Sequence, residues 1–242
     1  MNRELAIPRE VQQRLFPQQC PSISGVELVG LCRPAREVGG DYYDFFTLPQ
    51  GILALAIGDV SGKGVPASLL MASLQASLRG QTLAGAANID CLMANVNSLV
   101  YAASSINRYA TFFYAEYQPD RRLLTYVNAG HNPPILLRRN SDVARLEAGG
   151  PPVGLLPEAS YEGASVEVKP GDLLLLFTDG ISEAMNVADE EWGEERLLCV
   201  LKNSSAAKPA SIASALFQTA DEFTGSAPQH DDMTVVTPVF EA

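Results

Sequence analysis

Cysteine is scarce and scattered. The four thiols of the 242-residue chain, Cys20, Cys32, Cys91 and Cys199, form no CxxC pair and have no histidine beside them. That argues against a zinc site or a redox dithiol and fits reduced, cytosolic thiols. Basic residues are also in deficit, 17 Lys plus Arg against 28 Asp plus Glu, for a net charge of −11. Such a balance speaks against non-specific binding to nucleic acid or to an anionic membrane surface. No apolar run approaches the length of a membrane span. The start from Met1 to Gln13 is polar and charged, unlike a signal peptide. Internal repeats, low-complexity tracts and long linkers are missing too. There remains an ordinary globular balance, 47% hydrophobic and 19% charged, in a chain long enough to bury a full core. A soluble, cytoplasmic protein with one main domain is expected.

Periodicity supplies the elements. Leu5, Ile7, Val11 and Leu15 fall near helical spacing up to Pro17, and Pro8, best placed in a first helical turn, puts the start of the regular helix near it. Val26 to Arg33 reads as a strand, and Tyr42 to Leu48 pairs with Ile52 to Ile57 across Pro49-Gln50-Gly51. Helical stretches follow over Pro66 to Arg79 and Ile89 to Ala102, then strands over Thr111 to Tyr117, Leu123 to Asn128 and Ile135 to Leu137. Gly149 to Gly154 reads as an irregular loop, and Val166 to Val168 with Leu173 to Phe177 as a hairpin around Pro170-Gly171-Asp172. Two more helices, near Glu194 to Leu201 and Ala210 to Phe223, precede a last strand from Met233 to Val239. Hairpins outnumber βαβ units, so the sheets should be mainly antiparallel with helices packed outside, an α+β class.

Four aspartates share one local setting. Asp41 follows Gly39-Gly40, Asp59 stands in Gly58-Asp59-Val60-Ser61-Gly62, Asp179 precedes Gly180, and Asp231 precedes Asp232-Met233-Thr234. Each lies at a strand end beside small or turn-forming residues, which let the backbone turn sharply or approach an ion. Converging carboxylates repel one another and hold their protons unless a cation compensates. All-oxygen ligation selects hard ions, Mg²⁺ or Mn²⁺. Two such ions roughly 3.5–4 Å apart activate a water and clamp a phosphoryl group. The plain alternative is that an Asp-Gly after a strand is only a turn, and spacing alone does not bring the four together. Gly58 to Gly64 is not a P-loop, because its spacing is short and Gly64 follows Lys63 where Ser or Thr is required.

At these residues the chain resembles the PPM (protein phosphatase 2C-like) family, in the bacterial branch typified by the stage II sporulation protein E phosphatase. The resemblance runs from about Val11 to Val239. It is carried by Pro34 to Asp44 with its Gly39-Gly40-Asp41, by Gly58 to Gly64, by Asn128-Ala129-Gly130-His131-Asn132-Pro133-Pro134, by Thr178 to Ala184 and by Asp231-Asp232-Met233-Thr234. The resemblance implies an α-β-β-α sandwich of two mainly antiparallel sheets flanked by helices, with residues 1–17 as a linker-type helix and 18–242 as the catalytic domain. It implies two Mn²⁺ or Mg²⁺ ions held by Asp41, Asp59, Asp179 and Asp231 with the Val60 carbonyl, Asp59 bridging, and direct attack of an activated water on phosphoserine or phosphothreonine. Asp232 would orient the site and Asp44 would support it. Glu183 could lend an oxygen to a third ion, since His131 replaces the aspartate some members use there. Arg36 stands where some members grip phosphate, or is a surface arginine. Ser61 replaces the histidine of eukaryotic members, leaving water or His230 as the acid, with a solvated loop histidine the alternative for His230. The implied partner is a phosphorylated STAS-domain anti-sigma-factor antagonist, with an upstream sensor or receiver domain acting through the N-terminal helix. A non-catalytic scaffold and a hydrolase of small phosphate esters are the competing readings.

Overall fold

The computed structural model describes residues 3–104 and 108–241, with side chains from residue 7 onward. Helix α1 (Arg3–Leu15) is followed by strands β1 (Val26–Glu27) and β2 (Gly30–Arg33) and by the hairpin of β3 (Tyr42–Thr47) and β4 (Leu53–Val60). Helices α2 (Val65–Ala84) and α3 (Ile89–Ala103) come next. Then come β5 (Ala110–Gln118), β6 (Leu123–Ala129), β7 (Ile135–Leu137), β8 (Val143–Arg145), β9 (Gly149–Gly150), β10 (Ala164–Glu167) and β11 (Leu173–Phe177). The short α4 (Asp179–Ser182), α5 (Gly193–Asn203), α6 (Pro209–Thr224), β12 (Met233–Val236) and β13 (Val239–Phe240) complete the order.

Helix ends follow local chemistry. Pro66 occupies the first turn of α2, where its missing N–H costs nothing, and Gly85 ends that helix with the left-handed conformation a β-carbon disfavours. The Asn88 side chain caps α3 by accepting from the Cys91 N–H at 2.8 Å.

The strands form two sheets. One runs β10-β6-β5-β4-β3 with β9 also on β6; the other runs β1-β13-β11-β12-β2, with β7 and β8 beyond β11. Every ladder is antiparallel except β6 with β9. Side chains alternate across each sheet as the strand period demands. On β5, Phe113, Ala115 and Tyr117 point between the sheets while Phe112 and Tyr114 meet α2 and α3. On β11, Leu174 and Leu176 enter the inter-sheet core while Leu173, Leu175 and Phe177 meet α5 and α6. Each buried Leu or Phe contributes about 1.5–3 kcal/mol, and a slip of one residue would exchange the two faces, so packing on both sides fixes the register. The result is the expected α-β-β-α sandwich.

Five local expectations need correction, one of them the last strand, which ends at Val236 and leaves Val239–Phe240 as a separate β13. The N-terminal helix starts at Arg3 and carries Pro8 in its interior, forfeiting one backbone hydrogen bond near its end; the Leu5 side chain lies outside the described residues. The strand expected over Val26 to Arg33 breaks into β1 and β2. Gly149-Gly150 is not irregular but lies parallel to Asn128-Ala129, and a β-carbon on Gly149 would collide with the Asn128 backbone. Finally, β10 and β11 are no hairpin. β10 pairs with β6 and β11 with β7, β12 and β13, in different sheets. The crossing is held by the buried Asp172 carboxylate, which accepts from the Arg138 guanidinium (2.6 Å), the Lys169 N–H (2.9 Å) and the Arg139 N–H (3.2 Å). A turn organised around one carboxylate has no periodicity to betray it.

Candidate metal centre

The acidic residues arrive at one rim from four distant segments. Asp41 immediately precedes β3, Asp59 is the penultimate residue of β4, Asp179 opens α4 directly after β11, and Asp231 lies two residues before β12. Asp41 is buried, 2% exposed, and its Oδ2 accepts from the hydroxyls of Thr178 (2.8 Å) and Thr234 (2.6 Å). Those threonines sit at the ends of β11 and β12, so one carboxylate ties two strands of the opposite sheet to β3.

Electrostatics show the convergence. Burial first, then the charge of Asp59, pushes the Asp41 carboxyl well above its usual value, against the two threonine hydroxyls that favour its charge. Burial raises Asp59 from 3.8 to about 7, assisted by Asp179, Asp231 and Asp232 in that order. Asp179 is raised by burial and by Asp231, and eased by the Gly180 N–H and by Lys63. Glu183, exposed at the edge, is raised by slight burial and then by Asp179, Glu191 and Asp231. Carboxyls that raise one another in this way are short of positive charge.

Close backbone packing accompanies the acids. A β-carbon on Gly40 would lie 2.8 Å from the Val60 carbonyl oxygen and 3.3 Å from Asp59 Oδ1. The side chain missing from Gly40 therefore opens a niche bounded by two of the oxygens expected as ligands. A β-carbon on Gly39 or on Gly180 would collide with Asp232. Asp232 itself is buried and committed to backbone: Oδ1 accepts from the Ala35 N–H and Oδ2 from the Gly40 N–H, both at 2.7 Å. It shapes the loop that delivers Asp41.

Among the described residues, no three His, Cys, Asp or Glu side chains form a ready-made cage for one ion. The donor set still suits Mg²⁺ or Mn²⁺, because small hard ions keep several waters and take only one or two carboxylates each from the protein. Clustered carboxylate oxygens, a carbonyl beside a glycine niche and raised acid pKa values all fit divalent cations.

The remaining expected residues divide. Asp44, wholly buried, lies away from the acid cluster, bonded to Arg79 twice at 2.8 Å and to the Tyr42 hydroxyl at 2.7 Å. Arg36 is exposed. Ser61 is engaged with Tyr109: its Oγ accepts from the Tyr109 N–H at 3.0 Å and its N–H donates to the Tyr109 carbonyl at 2.9 Å. His230 is exposed and lines a cleft of about 440 Å³ together with Arg33, Asp179, Glu183, Asp221 and Asp231. His131 is buried with both ring nitrogens taken. Its Nε2 faces the Phe177 carbonyl at 3.1 Å, which can only accept, so that nitrogen carries the proton and Nδ1 accepts from the Thr111 hydroxyl at 2.9 Å. Burial pushes its pKa down to about 4. Thr111 lies opposite Asp59 in the β4–β5 ladder, and Phe177 is two residues before Asp179. The imidazole clips the two sheets together beneath the acids and has no lone pair to offer an ion.

Sequence reading missed several contributors. Thr178 and Thr234 stood in the motifs without a role, although a hydroxyl beside a strand-end aspartate was a signal in plain view. Gln12 gave none: its side chain, 7% exposed, donates to the Gly39 carbonyl (2.7 Å) and accepts from the Gly39 N–H (3.1 Å), 27 residues along the chain.

The family model described as Stage II sporulation protein E (SpoIIE) matches residues 49–238. The chain belongs to the SpoIIE family. Protein IcfG of Synechocystis sp. is 30% identical over 259 residues, covering 96% of this chain and 41% of that protein. Phosphoserine phosphatase RsbU of Bacillus subtilis is 30% identical over 181 residues, covering 74% of this chain and 53% of RsbU. The chain thus spans about half the length of these curated relatives. Among solved structures, the SiaA-PP2C domain of Pseudomonas aeruginosa superposes with a TM-score of 0.87 at 21% identity, covering 99% of this chain and 96% of that one. This SpoIIE-family chain has the PP2C fold. No described helix is long and apolar enough to cross a membrane.

Proposed function

We propose that this chain is a divalent-metal-dependent phosphatase that hydrolyses phosphoserine or phosphothreonine on a protein. The observation that carries the reading is the meeting of Asp41, Asp59, Asp179 and Asp231 at one rim, with Asp59 raised to about 7 by burial and by its acidic neighbours. Membership in the SpoIIE family and the likeness to a named phosphoserine phosphatase support it. Asp41, Asp59, Asp179 and Asp231, with the Val60 carbonyl, would hold two Mn²⁺ or Mg²⁺ ions. Bound there, the ions would activate a water and neutralise the phosphoryl oxygens as charge shifts to the leaving group.

The chain's own residues prepare that chemistry. Thr178 and Thr234 fix the rotamer of Asp41, Asp232 fixes the Gly39–Asp41 backbone, and His131 fixes the spacing of β5 and β11. The cleft along Arg33, Glu183 and Asp221 opens beside Asp179 and Asp231 and has room for residues flanking a phosphorylated side chain. Glu183 could add an oxygen to a third ion at its edge, and the exposed Arg36 is a candidate phosphate contact. Cys32 is not the nucleophile, because burial and the charge of Asp41 raise its thiol and leave no thiolate to attack. On family membership, the substrate is a phosphorylated STAS-domain anti-sigma-factor antagonist in the cytoplasm, and residues 1–17 are a linker-type helix through which an upstream sensor or receiver domain acts on the catalytic domain of residues 18–242.

The test is Asp59→Asn assayed with a phosphopeptide panel, nucleotides and p-nitrophenyl phosphate in Mn²⁺. Loss of about a thousandfold in turnover is expected, since metal and water positioning supply several kcal/mol of barrier lowering. Undiminished turnover would sink the assignment. Preference for nucleotides over phosphopeptides would replace it with small-ester hydrolysis.

A further inference from the structure

Lys63 stands on the turn between β4 and α2, between Gly62 and Gly64, whose φ angles of 95° and 74° lie where a β-carbon is disfavoured. From that turn its side chain reaches the segment before β12, 167 residues along the chain. The ammonium donates to the His230 carbonyl at 2.6 Å and pairs with Asp231 Oδ2 at 2.6 Å. Its charge also eases the Asp179 carboxyl. The arginine that lines the neighbouring cleft, Arg33, is committed elsewhere, holding Asp221 through two bonds of 2.9 and 2.7 Å. Lys63 therefore stands as a cation at the acid rim.

Resting on the metal-centre reading above, we propose that Lys63 is a built-in counter-cation for the ion position at Asp179 and Asp231. Its ammonium neutralises Asp231 before an ion arrives, must leave Asp231 for the ion to bind, and so sets the affinity of that position below what the carboxylates alone would give. The chemistry suits the role. An ammonium is a compact charge on a flexible stem, able to swing away without breaking a planar fork of bonds. Both partners are partly open to water, 39% and 42% exposed, so the pair is weak enough for a divalent ion to displace. The lysine spares the folded, metal-free rim part of its self-repulsion and makes occupancy of this position depend on metal concentration.

The test is calorimetric titration of the whole chain with Mn²⁺, comparing wild type, Lys63→Gln and Lys63→Arg, together with the melting temperature of each before metal is added. Lys63→Gln is expected to bind Mn²⁺ about fivefold more tightly at the weaker position, the scale of an exposed ion pair, and to melt lower without metal. Lys63→Arg keeps the charge but adds a planar fork of donors toward Asp231, so it should bind Mn²⁺ no more tightly than wild type. The difference between Lys63→Gln and wild type should shrink as salt is raised, because screening weakens the competing pair. Equal or weaker Mn²⁺ binding by a folded Lys63→Gln overturns the proposal while leaving the metal centre standing. Absence of Mn²⁺ binding in the wild type overturns the metal centre and the role of Lys63 with it.

Discussion

Two aspartates three residues apart, Asp41 just before β3 and Asp44 within it, met opposite fates. Asp44 is wholly buried, and the protein answers its charge completely, with a doubly bonded Arg79 and the Tyr42 hydroxyl. Arg79 in turn lies 3.7 Å over the Phe46 ring, so α2 is fastened to β3 by one compact group. Asp41 is buried almost as deeply, yet among the described residues no lysine or arginine pairs with it. It receives two threonine hydroxyls and faces Asp59. A buried carboxylate with an internal cation is a structural fastener. One that is surrounded by other acids is costly to the fold unless a cation from outside compensates it.

The largest contrast should come from replacing each in turn. Asp44→Ala leaves the Arg79 guanidinium and the Tyr42 hydroxyl without their partner, and about 2–3 kcal/mol of stability should be lost, less than for a fully buried pair because Arg79 is 38% exposed. Turnover per folded molecule should persist. Asp41→Asn should do the reverse: turnover falls by about a thousandfold, and the metal-free protein melts no lower than wild type, since a neutral amide relieves repulsion. Denaturant melts alongside phosphatase assays read both. Equal loss of activity in both variants would erase the distinction between fastener and site.

A pH titration tests the same contrast without mutation. Asp59 is raised to about 7 in the folded chain from an ordinary 3.8, and Asp41 is raised as well. A carboxyl that holds its proton more tightly when folded stabilises the fold while protonated, and that contribution is lost as pH climbs from the unfolded value through the folded one. The metal-free protein should therefore lose melting temperature between about pH 4 and pH 7. Mn²⁺ at neutral pH should restore it, because a bound ion stabilises the native state by mass action. Asp59→Asn should flatten the decline; a slope unchanged by that substitution would mean that other groups carry it.

How far the sequence revealed this molecule depended on whether the signal was local. The unbroken apolar run from Leu173 to Phe177 and the helical spacing of Leu70, Met71, Leu74 and Leu78 declare their burial within short stretches of chain, and the sandwich follows from them. The aspartates were visible because strand-end Asp beside glycine is a local pattern. Their meeting was not, and needed a family resemblance to suggest it. The crossing at Asp172 was misread as a hairpin because Pro170-Gly171-Asp172 suits a turn whichever sheet receives the next strand; the choice is made by Arg138 and the backbone at Arg139, more than 30 residues away. The tautomer of His131 likewise depends on Phe177 and Thr111, which no spacing rule connects to it.

Gln12 makes another of these long-range links, and its removal should give the smallest effect. It sits on α1 and makes two hydrogen bonds to the Gly39 backbone, on the same loop whose Gly40 N–H is held by Asp232 and whose next residue is Asp41. Phe16, just past α1, stacks on Tyr43 at 5.1 Å, so the helix remains docked without Gln12. Gln12→Ala should then cost about 1–2 kcal/mol, the loss of two buried hydrogen bonds with the Gly39 groups partly rehydrated. The loop carrying Asp41 would gain freedom, so the Mn²⁺ concentration needed for half-maximal turnover should rise while the turnover at saturating Mn²⁺ stays near wild type. A fall in saturated turnover with unchanged metal dependence would instead mean that Gln12 acts on the substrate side of the rim. Asp41 would then be held well enough by Thr178 and Thr234 alone.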